Sequence, residues 1–349
     1  MLDGKNDFRS DTITQPTEEM REAMYKARVG DAGRGEDPTV RELEEYSAAL
    51  LGKEAGLFVA SGTAGNLISL MAHTTPGQEL ILEKDAHIYV FEVGGIARLA
   101  NLVACRVAGK DGVMAPEDVE AAIRGPNPSF AVTGLISVEN THNIAGGMVH
   151  TAQQMAAIKA VAERHGIPVH LDGARIFNAA VALGVPARDL AAHADSVTFC
   201  LSKGLSAPVG SVILGSKKVI DACARMRKML GGTMRQAGVL AAAGLVGLKT
   251  MVNRLAEDHA NAKRLAEKLS KIEGLSVNTS KVQTNIVRSK TTGLGVGAAK
   301  VSAMLAEHNV YSYAQQADTL RWVLHRHVTS ADVDEAAAAM AKVSKALRG

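Results

Sequence analysis

Two rhythms of apolar residues alternate along this chain. "EAGLFVASGTAGNLISLMAHT" predicts a strand, a small-residue turn and then a helix, and "ELIL" (79–82) predicts a short strand. "LISVENTHNIAGG" reads as a strand ending in a polar loop, and "TAQQMAAIKAVAERHG" as a helix that Thr151 caps and Gly166 stops. "IPVHLDGAR", "SVTFCLSKG" and "SVILGS" follow as strands, and "KKVIDACARMRKML" as a helix. This alternation is that of an α/β domain with a mostly parallel sheet covered by helices. After about residue 250 the rhythm changes. "TMVNRLAEDHANAKRLAEKLSKI" predicts one long amphipathic helix. "LSVN" and "TNIVRS" follow as strand-like pieces, then a helix near "AAKVSAMLAEHN", the strand "TLRWVLH" and a final helix "ADVDEAAAAMAKVSKAL". The expected division is a large lobe, 1–250, and a small C-terminal α+β lobe, 251–349.

A chain of 349 residues suits two lobes or one large domain. Its 47% hydrophobic and 21% charged residues are those of an ordinary globule. Lys and Arg (39) nearly balance Asp and Glu (36), and no basic run dominates, which argues against a nucleic-acid partner. The polar opening "MLDGKNDFRSD" lacks the apolar core of a signal peptide. The nearly apolar run "AGVLAAAGLVGL" is too short and too rich in Gly and Ala to span a bilayer. Cys105, Cys200 and Cys223 have no paired spacing and read as reduced thiols in a cytoplasm.

Three features at predicted strand ends carry candidate chemistry. Ser61, Gly62 and Thr63 sit at a strand-to-helix turn, where backbone N–H groups and the helix N-terminus can face a phosphate; an ordinary tight turn with Ser61 as cap is the plainer reading. Asp172 ends an apolar strand and must be paired there. It either holds a protonated ring nitrogen or forms a structural pair with Arg175. Lys203 lies just past a buried strand, between Ser202 and Gly204. A lysine screened from water is a usable nucleophile toward a carbonyl, whereas a lone lysine more often extends its tip to solvent. Together, a phosphate loop, an acid for a pyridinium nitrogen and a Schiff-base lysine are the parts that pyridoxal 5′-phosphate needs. The small residues around Lys203 then read as room for that cofactor.

With these residues in place, the chain resembles the L-threonine aldolase family, fold-type I pyridoxal-phosphate enzymes within the β-eliminating lyase group. "FRSDTITQPTEEMREAM", "GEDPTVRELE", "SGTAGN", "DAHIYVFEVG", "ENTHN", "HLDGARIFNA", "CLSKGLSAPVGS" and "MRQAGVLAAAG" carry the resemblance over nearly the whole chain. It implies an aspartate-aminotransferase-like fold with a seven-stranded, mostly parallel sheet. It implies that Lys203 bonds the cofactor, with Ser202 beside it. Asp172 would hold the ring nitrogen, Ser61, Gly62 and Thr63 the phosphate, and His87 would stack on the ring. Arg175 would contact cofactor or substrate carboxylate, and Ser10 and Arg321 would clamp that carboxylate. Lys228 and Arg235 would reach a neighbouring subunit's phosphate, in a homodimer or homotetramer with composite sites. The implied reaction cleaves β-hydroxy-α-amino acids into glycine and an aldehyde. His87 and His142 are the candidate bases, His87 preferred.

Two positions depart from the family pattern. Arg34 stands where a tyrosine is usual, and Ser129 where many members have a histidine that contacts the substrate hydroxyl. Both can be loop drift, or they can signal a substrate with an anionic side chain and a turn toward elimination or racemisation. A catalytically silent ligand-binding protein of this fold is the reading from another class. "TGLGVGAA" imitates a dinucleotide fingerprint but lacks the preceding strand. His325 and His327 in "HRH" would share a strand face, yet without a third ligand they predict no metal site.

Overall fold

The structure is a computed structural model and describes residues 6–349; the first five residues of the polar opening segment lie outside the described residues. The strands are β1 (Ala55–Val59), β2 (Glu79–Glu83), β3 (Val103–Val107), β4 (Thr133–Glu139), β5 (Val169–Asp172), β6 (Ser196–Cys200), β7 (Ser211–Gly215), β8 (Ile286–Lys290), β9 (Tyr313–Gln316) and β10 (Thr319–Val323). Seven of them form one sheet in the order β1-β7-β6-β5-β4-β2-β3. Neighbours from β3 to β6 are parallel, and β7 alone runs against both β6 and β1. This is the expected mostly parallel seven-stranded α/β sheet.

Alternation along each strand divides the large-lobe core between the two sheet faces. Phe58, Ile81, Ile136 and Leu214 belong to one apolar cluster, with Leu43, Ile158 and Leu245 from the helices Pro38–Leu51, Ala152–Arg164 and Gly238–Thr250. Their neighbours Leu57, Val59 and Ile213 face the other way, against Ile68 and Ile220, while Leu80, Leu82 and Leu135 pack with Leu70. Strands covered on both sides read as unbroken apolar runs, which is why β4 to β7 are plain in the sequence. β3 was not. It lies at the sheet edge with Val103 and Arg106 exposed, so "VACRV" offers neither a continuous apolar run nor a clean alternation.

The small lobe is an antiparallel sheet, β8-β10-β9, wrapped by the helices Leu255–Leu269, Ala298–Ala306 and Ser330–Arg348 around a fully buried Trp322. Three expectations need correction here. The long helix from Thr250 is two helices: Gly238–Thr250 ends, the chain bends by 69°, and Leu255–Leu269 begins. "LSVN" is not a strand; only Ser276 bridges to Lys290. The "HRH" imidazoles lie beyond β10 and do not share a strand face. His327 N–H donates to His325 Nδ1, so His325 Nε2 carries the proton and donates to the Asp7 carbonyl at 2.8 Å. Meanwhile His327 Nε2 accepts from the Gln15 amide.

Those contacts tie the opening segment to the far end of the chain. Phe8 belongs to the small-lobe core, edge-on to Trp322 with ring centroids 5.6 Å apart. The Phe8 N–H donates to the Tyr311 carbonyl, and the Phe8 carbonyl accepts from the Val323 amide. From there the segment crosses to the large lobe, where the Thr14 hydroxyl donates to the Lys203 carbonyl at 2.8 Å. Among the described residues, no single helix is long and apolar enough to cross a membrane.

Candidate active site

The carboxyl ends of the parallel strands share one edge of the sheet, where open α/β sheets bind ligands. β1 runs into Ser61, β2 into His87, β4 into Asn143, β5 into Asp172 and Arg175, and β6 into Lys203. A cavity of about 220 Å³ opens there. Its wall takes Lys203, His87, Phe91 and Arg175 from the large lobe, Asn143 from the loop after β4, Ser10 and Thr12 from the opening segment, and Tyr313 and Arg321 from the small lobe.

Arg321 faces the cavity without a carboxylate partner. Cross-strand pairing on β10 sets it opposite Tyr313, and its guanidinium carbon lies 5.3 Å from that ring's centroid. Nη1 donates to Asn143 Oδ1 at 3.1 Å and Nη2 to the Arg9 carbonyl at 3.0 Å. Nε is buried and has no partner among the described residues. Burial, and then the charge of Arg175, lower its pKa to about 10. A group so placed is short of an anion. Arg175 is not. It meets Asp11 through two hydrogen bonds of 2.7 and 2.6 Å, which answers the sequence question of its partner: it pairs with Asp11, not with Asp172. Burial opposes ionisation of Asp11, yet the Arg175 guanidinium holds its carboxyl well below the usual range.

His87 Nδ1 lies 3.0 Å from Glu92 Oε1 and donates to it, which leaves Nε2 as the basic nitrogen. Glu139 fixes the backbone by accepting from the His87 N–H at 2.8 Å and from the Asn143 N–H at 2.9 Å. Burial disfavours the imidazolium, but the Glu92 hydrogen bond and the charges of Asp172 and Glu139 more than offset it, so the His87 pKa stands above its ordinary 6.5. Asp172 is 2% exposed. It accepts from Asn66 Nδ2 at 3.0 Å and from the Ala174 N–H at 3.1 Å. Its carboxylate, Glu92 and the His87 ring bring one atom each within 4.8 Å of one another.

Residues 7–292 match the sequence model of the β-eliminating lyases. The chain belongs to the β-eliminating lyase family. Within it, the chain belongs with the low-specificity L-threonine aldolases. It is 46% identical to low-specificity L-threonine aldolase 1 of Arabidopsis thaliana over 332 residues, 94% of this chain and 93% of that protein. It is also 46% identical to the low specificity L-threonine aldolase of Escherichia coli O157:H7 over 264 residues, 75% of this chain and 78% of that one. The Leishmania major threonine aldolase structure superposes with a TM-score of 0.79 at 19% identity, covering 98% of both chains, and shares the fold.

Pyridoxal phosphate, which this lyase family and fold imply, meets fitting residues here. Ser61 Oγ caps the helix Gly62–His73 by accepting from the Ala64 N–H, so the Gly62 and Thr63 amides have no partner within the helix and are open to an anion. The helix sits hard on β6: a Cβ on Gly62 would lie 2.8 Å from Cys200 Sγ, and one on Gly65 would lie 2.6 Å from Thr198 Cγ2. Buried hydroxyls of Thr198, Ser206 and Ser211 have no partner among the described residues. An amine, a carboxylate with spare lone pairs and an amide-lined helix end make the donor set that the group requires. One reason given for the small residues around Lys203 does not hold. The space beside Gly204 is filled by Leu255, whose Cδ2 would lie 2.7 Å from an added Cβ.

Five of the residues named from the sequence stand apart from this cavity. His142 is 1% exposed, with Nε2 3.0 Å from Glu83 and Nδ1 accepting from the Ala145 N–H, so neither nitrogen is free to act as a base. Ser129 lies on an exposed loop before β4, at the opposite edge of the sheet, with its N–H bonded to Asn127. Arg34 is exposed beside Asp31, and Arg235 reaches the same carboxylate at 3.3 Å. Lys228 is exposed at the end of the helix Lys217–Met229. None of these five touches the chain's own cavity. Conversely, Asn66, Glu92, Glu139, Asn143, Asp11 and Tyr313 build the site without having been singled out. All but Tyr313 do lie inside quoted motifs: Asp11 in "FRSDTITQPTEEMREAM", Asn66 in "SGTAGN", Glu92 in "DAHIYVFEVG", and Glu139 and Asn143 in "ENTHN".

Proposed function

We propose that this chain is a pyridoxal-phosphate aldolase that cleaves the Cα–Cβ bond of threonine-like β-hydroxy-α-amino acids, releasing glycine and an aldehyde. The observation that carries the reading is one cavity wall with Lys203, an Arg321 that has an unpartnered donor, and a His87 with Nε2 free. The relatives named threonine aldolases support it. Lys203 would bond the cofactor, Asp172 would face its ring nitrogen, and the Gly62 and Thr63 amides with Ser61 and Ser202 would hold its phosphate. Bound pyridoxal phosphate supplies an electron sink for Cα. Arg321 and Ser10 then grip the substrate carboxylate, the planar fork of Arg321 donating to both oxygens. His87 Nε2 takes the β-hydroxyl proton as the Cα–Cβ bond breaks and the aldehyde departs. Return of a proton to Cα gives glycine. Identifying the products from threonine, allo-threonine and phenylserine tests this: glycine with the matching aldehyde is expected, and ammonia with a keto acid would overturn it.

In this reading residues 1–250 form the cofactor lobe and 251–349 the small lobe. Lys228 and Arg235 act on the cavity of a second copy, in a homodimer or homotetramer, while Arg34 and Ser129 do not touch the cavity of their own subunit. With Arg34 outside the chain's own cavity, the case for an anionic substrate side chain loses its support within one subunit. The three free thiols fit a cytoplasmic protein.

The raised His87 pKa fixes a sign. The neutral imidazole is the working base, so kcat/KM should fall as pH drops through a value above 6.5. Glu92→Gln keeps an acceptor for His87 Nδ1 but removes the charge, and the acid limb should move to lower pH. Steady-state profiles of the two enzymes check this; an unmoved limb would remove Glu92 from the role.

A further inference from the structure

Behind Asp172 a line of buried polar side chains runs across the sheet. Asn66 Nδ2 touches both Asp172 Oδ2 at 3.0 Å and Glu92 Oε1 at 2.9 Å. Its Oδ1 lies 3.2 Å from His170 Nε2. His170 Nδ1 lies 2.8 Å from Ser196 Oγ, which lies 2.8 Å from His73 Nε2. Asn66 is 2% exposed, and His170 and Ser196 are fully buried.

Donor counting gives this line a single direction. Two carboxylates share one atom of Asn66, so that atom is the NH₂ group, one hydrogen to each. Oδ1 therefore faces His170 and needs a donor, so His170 carries its proton on Nε2. Its Nδ1 must then accept, so Ser196 donates to it, and the Ser196 oxygen in turn accepts from His73 Nε2–H. Burial, with the nearby His73, pushes the His170 pKa down to about 3, in keeping with a neutral ring holding one proton.

We propose that His170 and Asn66 are positioning residues for Asp172, the tautomer of His170 locking the Asn66 amide so that its N–H groups, not its oxygen, face Asp172 and Glu92. This rests on the proposed function, in which Asp172 faces the ring nitrogen. Its consequence is that a histidine outside the cavity wall sets how firmly the carboxylate at the cofactor is held. Without a donor at position 170 the buried Asn66 oxygen loses its partner, and the two carboxylates alone hold the amide. The Asn66 N–H then points less firmly at Asp172, and the carboxylate is held less well.

The test compares wild type, His170→Phe, His170→Gln and Ser196→Ala, each reconstituted with pyridoxal phosphate. The readouts are the cofactor dissociation constant and the pH profile of its visible absorbance band. Gln at 170 can place an N–H where Nε2 stands, and Ser196→Ala frees His170 to take the wrong tautomer. His170→Phe is expected to weaken cofactor binding about tenfold, the loss of one charge-assisted hydrogen bond. It should also shift the band's pH profile, as should Ser196→Ala by a smaller amount. His170→Gln should stay within about threefold of wild type in affinity, since the donor is retained. A His170→Phe enzyme with wild-type affinity and profile would overturn the inference. So would a His170→Gln enzyme as impaired as His170→Phe, which would mark the ring as packing alone. If His170→Phe does not fold, Ser196→Ala decides: an unchanged profile overturns the inference. A wild-type chain that forms no band would instead overturn the proposed function, so the two failures are separable.

Discussion

Replacing Lys203 by alanine should lower turnover on the order of 10⁴-fold, the upper end of what one positioned reacting group contributes. The visible band of bound pyridoxal phosphate should vanish, and borohydride should no longer label the protein. The fold should survive the change. The contacts of residue 203 to the rest of the chain run through its carbonyl, which accepts from the Thr14 hydroxyl and the Ser206 N–H, and alanine keeps that carbonyl. Thermal melting of the cofactor-free proteins provides the control. A variant with the same melting point and no band is the expected pair of results. A variant that keeps both the band and the turnover would mean that the amine is not the one that matters.

Arg321→Ala should cost kcat/KM about 10²- to 10³-fold, the range for removing one partner of a buried, hydrogen-bonded charge pair. Both KM and kcat should suffer, because in the proposed reaction the guanidinium binds the carboxylate and also fixes how the substrate lies. Arg321→Lys keeps the charge and loses the fork, so its loss should fall between wild type and alanine. Nη1 and Nη2 also hold Asn143 and the Arg9 carbonyl, so part of the alanine effect is a looser opening segment. Cofactor affinity separates the two. An Arg321→Ala enzyme with intact cofactor binding and unchanged kcat/KM would remove Arg321 from the substrate site.

What the sequence revealed follows from where free energy leaves a local mark. Central strands such as β5 and β6 are buried on both faces and read directly as apolar runs, with Asp172 and Lys203 conspicuous because polar groups interrupt them. The edge strand β3 and the polar β9 leave no such mark, because half their surface faces water. Asp11, Asn66 and Glu139 were silent for another reason. Each acts through a partner far away in the chain: Asp11 meets Arg175 across 164 positions, and Asn66 meets Asp172 across 106. No window of neighbouring residues holds such a pair. His142 misled in the opposite sense. Its motif is at the site, but the loop after β4 turns the ring inward to Glu83 and offers Asn143 in its place.

The stitching of the opening segment to the small lobe sets a timetable for biosynthesis. Ser10 and Thr12 reach the cavity on a strip of backbone whose anchors, Tyr311, Trp322 and His325, are made last; the Asp7 to His325 bond alone spans 318 positions. While the ribosome is still translating the cofactor lobe, that strip has nowhere to dock. The cavity wall is complete only when both ends of the chain have been made, so a nascent or C-terminally truncated polypeptide lacks part of it.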